Sequence, residues 1–171
     1  MTQQTNAAAS HIDTTLVQTV VRAWQDTVAR ADKTLAEFSD ADLQREVAAG
    51  RNRIYYLLGH LTAVQDRLVQ LMRVGERKYA ALDEAFITSP DRAHPDTMSA
   101  ADLRAAWHEV NERLAAALHK LTPAEWLERH NTVSPDDFAK EPLRNRLAVL
   151  IARTTHLTFH EGQMRLAIPR K

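Results

Sequence analysis

Eight histidines and no cysteine occur among the 171 residues, so any metal chemistry in this chain runs through imidazole or carboxylate rather than thiolate. His156 and His160 stand four residues apart, which on a helix is an angle of about 40° and one turn, so both rings reach one point. A wheel centred on His156 gathers Val149, Ala152, Leu157, Phe159, Met164 and Ala167 on its side and leaves Thr154, Thr158, Glu161 and Arg165 opposite. That pattern predicts a histidine pair pointing into a helical core. Around His60 the same construction gathers Tyr56, Leu57, Val64, Leu68 and Leu71, with Thr62, Asp66 and Arg73 on the far side. An i, i+4 pair plus a third imidazole from another helix is a ligand set for one divalent transition metal, with a fourth position open. Imidazole suits Zn, Ni, Cu and Fe, with Zn or Ni the expected occupant. The other reading of these residues is a set of core histidines, each hydrogen-bonded to a neighbour.

Gln163 lies one turn beyond His160 and Tyr56 one turn before His60, each placed to orient a ligand or a water at the metal. For Tyr56 the alternative is core packing with its hydroxyl at the rim. Glu161 points about 100° away from His160 and reads as a solvated acid. His108 and His119 share the polar side of their helix with Glu109 and Glu112, while His11, His94 and His130 fall in a terminus or in connections. Several chemistries are excluded. Leu157 stands where an H-E-x-x-H protease needs its glutamate, and Phe159 where H-x-x-E-H needs one. Leu57, Arg153 and Leu157 stand where a di-iron bundle would place the acid of its Glu-x-x-His pairs. Neither a G-x-S-x-G elbow nor a glycine-rich phosphate loop occurs. Any catalysis therefore rests on a single metal, and no further catalytic residue is assigned.

Four long helices must carry these side chains. The first spans about Asp13 to Leu35, the second about Asn52 to Val74 with Gly75 at its end, the third follows the Ser99 and Asp102 capping pair to Leu121, and the fourth runs from Pro142 to about Ile168. Ser39 with Asp42 opens a short turn, KYAALDEAF a short helical piece, and Thr122, Pro123 and Glu125 a brief helix through Trp126. Two prolines in SPDRAHPD forbid a continuous helix between the second and third, so the expected fold is an all-α four-helix bundle with long connections after helices 2 and 3. One domain over 1–171 is expected, with 1–10 flexible.

Only four glycines and six prolines punctuate the chain, against the turn-rich habit of sandwiches and barrels. Lys+Arg and Asp+Glu are 22 each, and this zero net charge argues against nucleic acid or anionic lipid as the main partner. The N-terminal MTQQTNAAASHIDTT has no basic and apolar signal pattern, and no stretch reaches the ~18 apolar residues of a membrane span, which reads as cytoplasmic.

The stretch GRNRIYYLLGHLTAVQDRL around His60, with RTTHLTFHEGQMRL around His156 and His160, resembles the DinB-like (YfiT-like) superfamily of metalloenzymes over nearly the whole chain. The resemblance implies an up-down-down-up bundle, a homodimer, and His60, His156 and His160 as metal ligands meeting near one end of the core. It also implies a small-molecule substrate: relatives include metal-dependent transferases and isomerases that use low-molecular-weight thiols such as mycothiol, bacillithiol or glutathione. A metal-dependent transferase, a thiol S-transferase in particular, or a hydrolase is the expected function. The alternative is a non-catalytic metal-binding or stress-related interaction module.

Overall fold

Capping residues start most of the helices. In the computed structural model, which describes residues 2–168 and of residues 2–10 only the helical backbone, the Ser99, Thr122, Ser134 and Asn145 side chains accept the N–H of the third residue beyond them. Each satisfies one of the orphan donors of a first helical turn. The helices are α1 (Thr2–Ala36), α2 (Ile54–Leu71), α3 (Ala100–Leu118), α4 (Pro123–Trp126), α5 (Pro135–Lys140) and α6 (Arg146–Leu166), with a 3₁₀ turn at Asp42–Gln44 and a π turn at Glu84–Thr88. No strand occurs among the described residues, and no helix there is long and apolar enough to cross a membrane.

Several boundaries differ from those read in the sequence, among them the end of the third helix at Leu118 rather than Leu121. The first helix begins at Thr2 rather than near Asp13. The side chains of residues 1–10 lie outside the described residues, and the expected flexibility of that stretch with them. The second helix stops at Leu71 because Arg73 turns left-handed (φ 54°), and the N–H groups of Arg73 and Val74 bond back to the carbonyls of Gln70 and Val69. This is a Schellman stop with arginine in the place usually held by glycine, two residues before Gly75. KYAALDEAF forms a turn that leads through a helical Leu82 and Asp83 into the π turn, the short helical piece expected there. Asn145, not Pro142, caps the last helix, and α5 occupies the connection where no helix was expected although Ser134, Pro135 and Asp137 signal one.

Side-chain pairs set the direction of each helix. Trp107 Nε1 donates to Asp32 (2.6 Å), and Arg104 caps the carbonyls of Leu35 and Phe38, so the end of α1 meets the start of α3. Tyr55 reaches the carbonyl of Met98 and Gln65 bonds Asn111, so α2 and α3 run parallel. Thr34 donates to Glu161 near the ends of α1 and α6, which also run parallel. Glu128 is shared by Arg73, just past α2, and Arg146, at the start of α6, so those two are antiparallel. The bundle is therefore up, down, down, up along α1, α2, α3 and α6. Two apolar clusters fill it. One holds Leu57, Leu61, Phe86, Trp107, Leu157 and Met164 toward one end, the other Trp24, Leu68, Val110, Trp126 and Leu150 toward the other.

Helix α2 is buried on nearly every side, which corrects the wheel drawn around His60: Thr62 and Asp66 are both 0% exposed. Thr62 Oγ1 donates to the carbonyl of Leu58, while Asp66 accepts Arg77 Nε (3.0 Å) and the backbone N–H groups of Lys78 (2.9 Å) and Tyr79 (3.1 Å). The far side of the helix thus fastens the crossover rather than facing water, because satisfied polar groups are tolerated inside. At the other end of the crossover, Arg53 is clamped by Asp91 (2.7 Å) and Asp96 (2.9 Å). Pinned at both ends, the segment lays its π turn against the face of α2 that carries Gly59 and His60.

Candidate metal centre

His60, His156 and His160 come together from α2 and α6, with one ring nitrogen of each lying within 4.8 Å of the others. His156 Nε2 is 3.3 Å from His60 Nε2 and 3.1 Å from His160 Nε2. The opposite nitrogens of two rings are held. His60 Nδ1 lies 2.8 Å from the carbonyl of Phe86, and His160 Nδ1 lies 2.8 Å from Oε1 of Gln163. Carbonyl oxygens only accept, so both Nδ1 atoms carry the proton and both Nε2 atoms present bare lone pairs to the centre. His156 Nδ1 is buried with no partner, and its ring is held by packing alone.

With the His156 proton on Nε2 one of the two facing lone pairs is satisfied, and with it on Nδ1 three lone pairs converge on a point that could hold a metal ion. The residues fit a metal ion. Metal–nitrogen bonds of about 2.0–2.1 Å separate two imidazole nitrogens by roughly 3.0 Å at octahedral and 3.4 Å at tetrahedral angles, the range of the two separations from His156. Burial pushes all three imidazoles below the ordinary histidine value, His156 to about 4, with the neighbouring histidines and Arg153 adding to the shift at His156. The neutral, ligating form is the stable one at neutral pH.

Of the two supporting residues, Gln163 stands where its assignment placed it, holding His160 through Nδ1. Tyr56 donates its hydroxyl to the carbonyl of Ser89 (2.7 Å), and its ring lies parallel to that of His60, 11° between planes, so it flanks the His60 ring and offers no hydroxyl to the centre. Glu161 is the clearest correction: it is 6% exposed and accepts Thr34 Oγ1 at 2.9 Å. Phe159 stands 62% exposed, its ring edge-to-face with His160, and Ala152 is exposed as well. The packed face of α6 runs through Leu150, Leu157, Glu161 and Met164, and the histidines occupy the half-buried strip beside it. The wheel misplaced these residues because α1 offers Thr34 as a buried partner for a carboxylate, a pairing that hydrophobicity does not encode. His108 and His119 are exposed as expected, while His94 and His130 are half-buried and bond Ser89 and Thr132.

Two positioning elements escaped sequence reasoning. The carbonyl of Phe86 belongs to the crossover, where backbone acceptors carry no side-chain signature. Gly59 lets the Phe86 ring approach so closely that a Cβ there would lie 2.3 Å from it; the G-H dipeptide was the visible signal. A groove of about 510 Å³ that reaches Gln163 is lined by Val47, Arg51, Asn52, Leu57, Gln163 and Leu166.

No curated protein matches this sequence. The family model of the DinB superfamily matches residues 19–164, a span that holds all four long helices' packed regions and all three histidines. With that match and the up-down-down-up helical bundle, the chain belongs to the DinB superfamily.

Proposed function

We propose that the protein is a divalent-metal enzyme, a transferase of small molecules and in particular of low-molecular-weight thiols, with His60, His156 and His160 as the metal ligands. The convergence of three Nε2 atoms with two of the outer nitrogens already fixed carries this reading. When bound, a divalent ion supplies Lewis acidity that makes a thiol or water acidic near neutral pH. The protein does the rest. Phe86 and Gln163 keep the His60 and His160 lone pairs aimed inward, burial keeps all three rings neutral, and the Tyr56 ring restrains His60. Glu161, the acid next to His160 in the sequence, is turned to Thr34 on the α1 side and does not serve as a general base at the triad.

Elemental analysis of protein purified without chelator tests the metal, and His156→Ala tests the ligands. The expected result is about one metal per chain, lost in the variant and retained in His108→Ala. Absence of metal from the native protein, after titration with Zn and Ni, would leave a core histidine cluster instead. A screen of thiol conjugates on the loaded protein then tests the transferase class.

A further inference from the structure

Arg153 is half-buried on α6, and among the described residues it makes no hydrogen bond and no ion pair. Every other arginine buried to that degree has a partner. Arg53 holds Asp91, Arg67 and Arg77 hold Asp83, and Arg146 holds Glu128. Arg104, Arg113 and Arg129 donate to the carbonyls of Leu35, Glu76 and Val133. None of its guanidinium nitrogens is sealed from solvent, so the group is both unclaimed by the protein and open to a ligand.

Its position says which ligand. Residues 153, 156, 160 and 163 form one half-buried strip on α6, so Arg153 sits one turn, about 4.5 Å along the axis, before His156. Because α2 and α6 are antiparallel, the same side of the triad faces Arg67 on α2, and the Arg153 charge is near enough to His60 and His156 to oppose their protonation. Arg67 cannot share its acid: Asp83 already accepts both Arg67 (2.8 Å) and Arg77 (2.6 Å), and Arg77 also holds Asp66. Two arginines and two aspartates there cancel, which leaves Arg153 as a single uncompensated positive charge beside the histidines. One planar guanidinium matches one carboxylate, in charge and in bidentate geometry.

We propose that Arg153 binds a carboxylate of the small-molecule substrate, within a few bonds of the atom that reacts at the histidine triad. This rests on the metal-enzyme reading and narrows it to carboxylate-bearing substrates.

The experiment titrates metal-loaded protein with propionate, propionamide and inorganic phosphate, followed by calorimetry and by the visible spectrum of the cobalt-loaded form. Metal content and Tm are measured for native protein, Arg153→Gln and Arg153→Lys. The expected outcome is that propionate binds and propionamide does not, that Arg153→Gln weakens propionate by about tenfold or more, and that Arg153→Lys recovers part of it. The metal content of Arg153→Gln stays that of native protein, and its Tm is equal or higher, since no structural partner is lost. Equal propionate affinity in native protein and Arg153→Gln overturns the proposal, as does a lowered Tm with binding intact. Arg153-dependent binding of phosphate without propionate overturns the carboxylate assignment. Failure of native protein to take up metal is scored separately by the metal analysis and strikes the metal-enzyme reading, whereas metal uptake without an Arg153-dependent anion strikes this inference alone.

Discussion

The carbonyl oxygen of Phe86 lies 2.8 Å from His60 Nδ1 while the ring of the same phenylalanine packs onto the bare Cα of the residue before that histidine. One crossover residue therefore both sets the tautomer of His60 and seats itself through the absence of a side chain at Gly59. The candidate metal centre depends on a connection, not only on helix faces.

Gly59→Ala tests this dependence. Its methyl group would sit 2.3 Å from the Phe86 ring, so the π turn must move and carry the Phe86 carbonyl with it. A loss of roughly 1–3 kcal/mol of stability is expected, as for other overpacked sites, together with weaker metal uptake. Denaturant melts and metal titration check it; an Ala variant with native metal affinity would show that the Phe86 contact is dispensable.

Gln163→Ala should weaken metal binding by on the order of 10-fold, the low end for loss of a ligand-orienting hydrogen bond, with little change in stability. The variant frees His160 Nδ1 and lets the ring rotate or change tautomer. Competition with a chelator of known affinity measures the change. An unchanged affinity would assign His160 orientation to packing alone.

Glu161→Ala should cost stability and leave the metal in place, since the carboxylate holds Thr34 and not the triad. Removing a buried acceptor leaves the Thr34 hydroxyl, itself 2% exposed, without its bond, worth about 1–3 kcal/mol. Thermal melts and metal analysis of the same sample separate the two effects, and loss of metal at full stability would be the contrary result.

Metal-free protein should lose stability as the pH falls below about 6.5, the ordinary histidine value. Burial lowers His60, His156 and His160 in the fold, so below that pH the unfolded chain takes up protons that the folded chain refuses. For His156 the loss runs from about 6.5 down to its folded value of about 4. A second window opens in stronger acid, where Asp91 titrates: burial raises it, but the bonds and charge of Arg53 outweigh that and hold it below the ordinary carboxylate value. Stability held by that pair is present at neutral pH and is lost as the pH falls through the lowered value. Denaturant melts of chelated protein between pH 7 and 3 read both windows, and His156→Asn should flatten the first. A Tm indifferent to pH between 6.5 and 4.5 would contradict the burial of the triad.

The bundle and its histidine cluster were legible in the sequence because both are local. An i, i+4 pair such as His156 and His160 is neighbourly on any helix, caps such as Ser99 with Asp102 act within one turn, and the apolar repeats of the long helices state which elements pack. What lay beyond reach depended on partners distant in the chain. Whether Glu161 faces water or core is decided by Thr34, 127 residues away, and whether Asp66 is solvated is decided by the crossover that folds back onto it. The same holds for the tautomers. Sequence placed three imidazoles on two helices, but a Phe86 carbonyl and a Gln163 amide choose which nitrogen of His60 and His160 faces the centre. Hydrophobic periodicity reports the average solvent preference of a face, whereas a buried polar group is stable only when a specific partner satisfies it, and that partner exists only once the chain has folded.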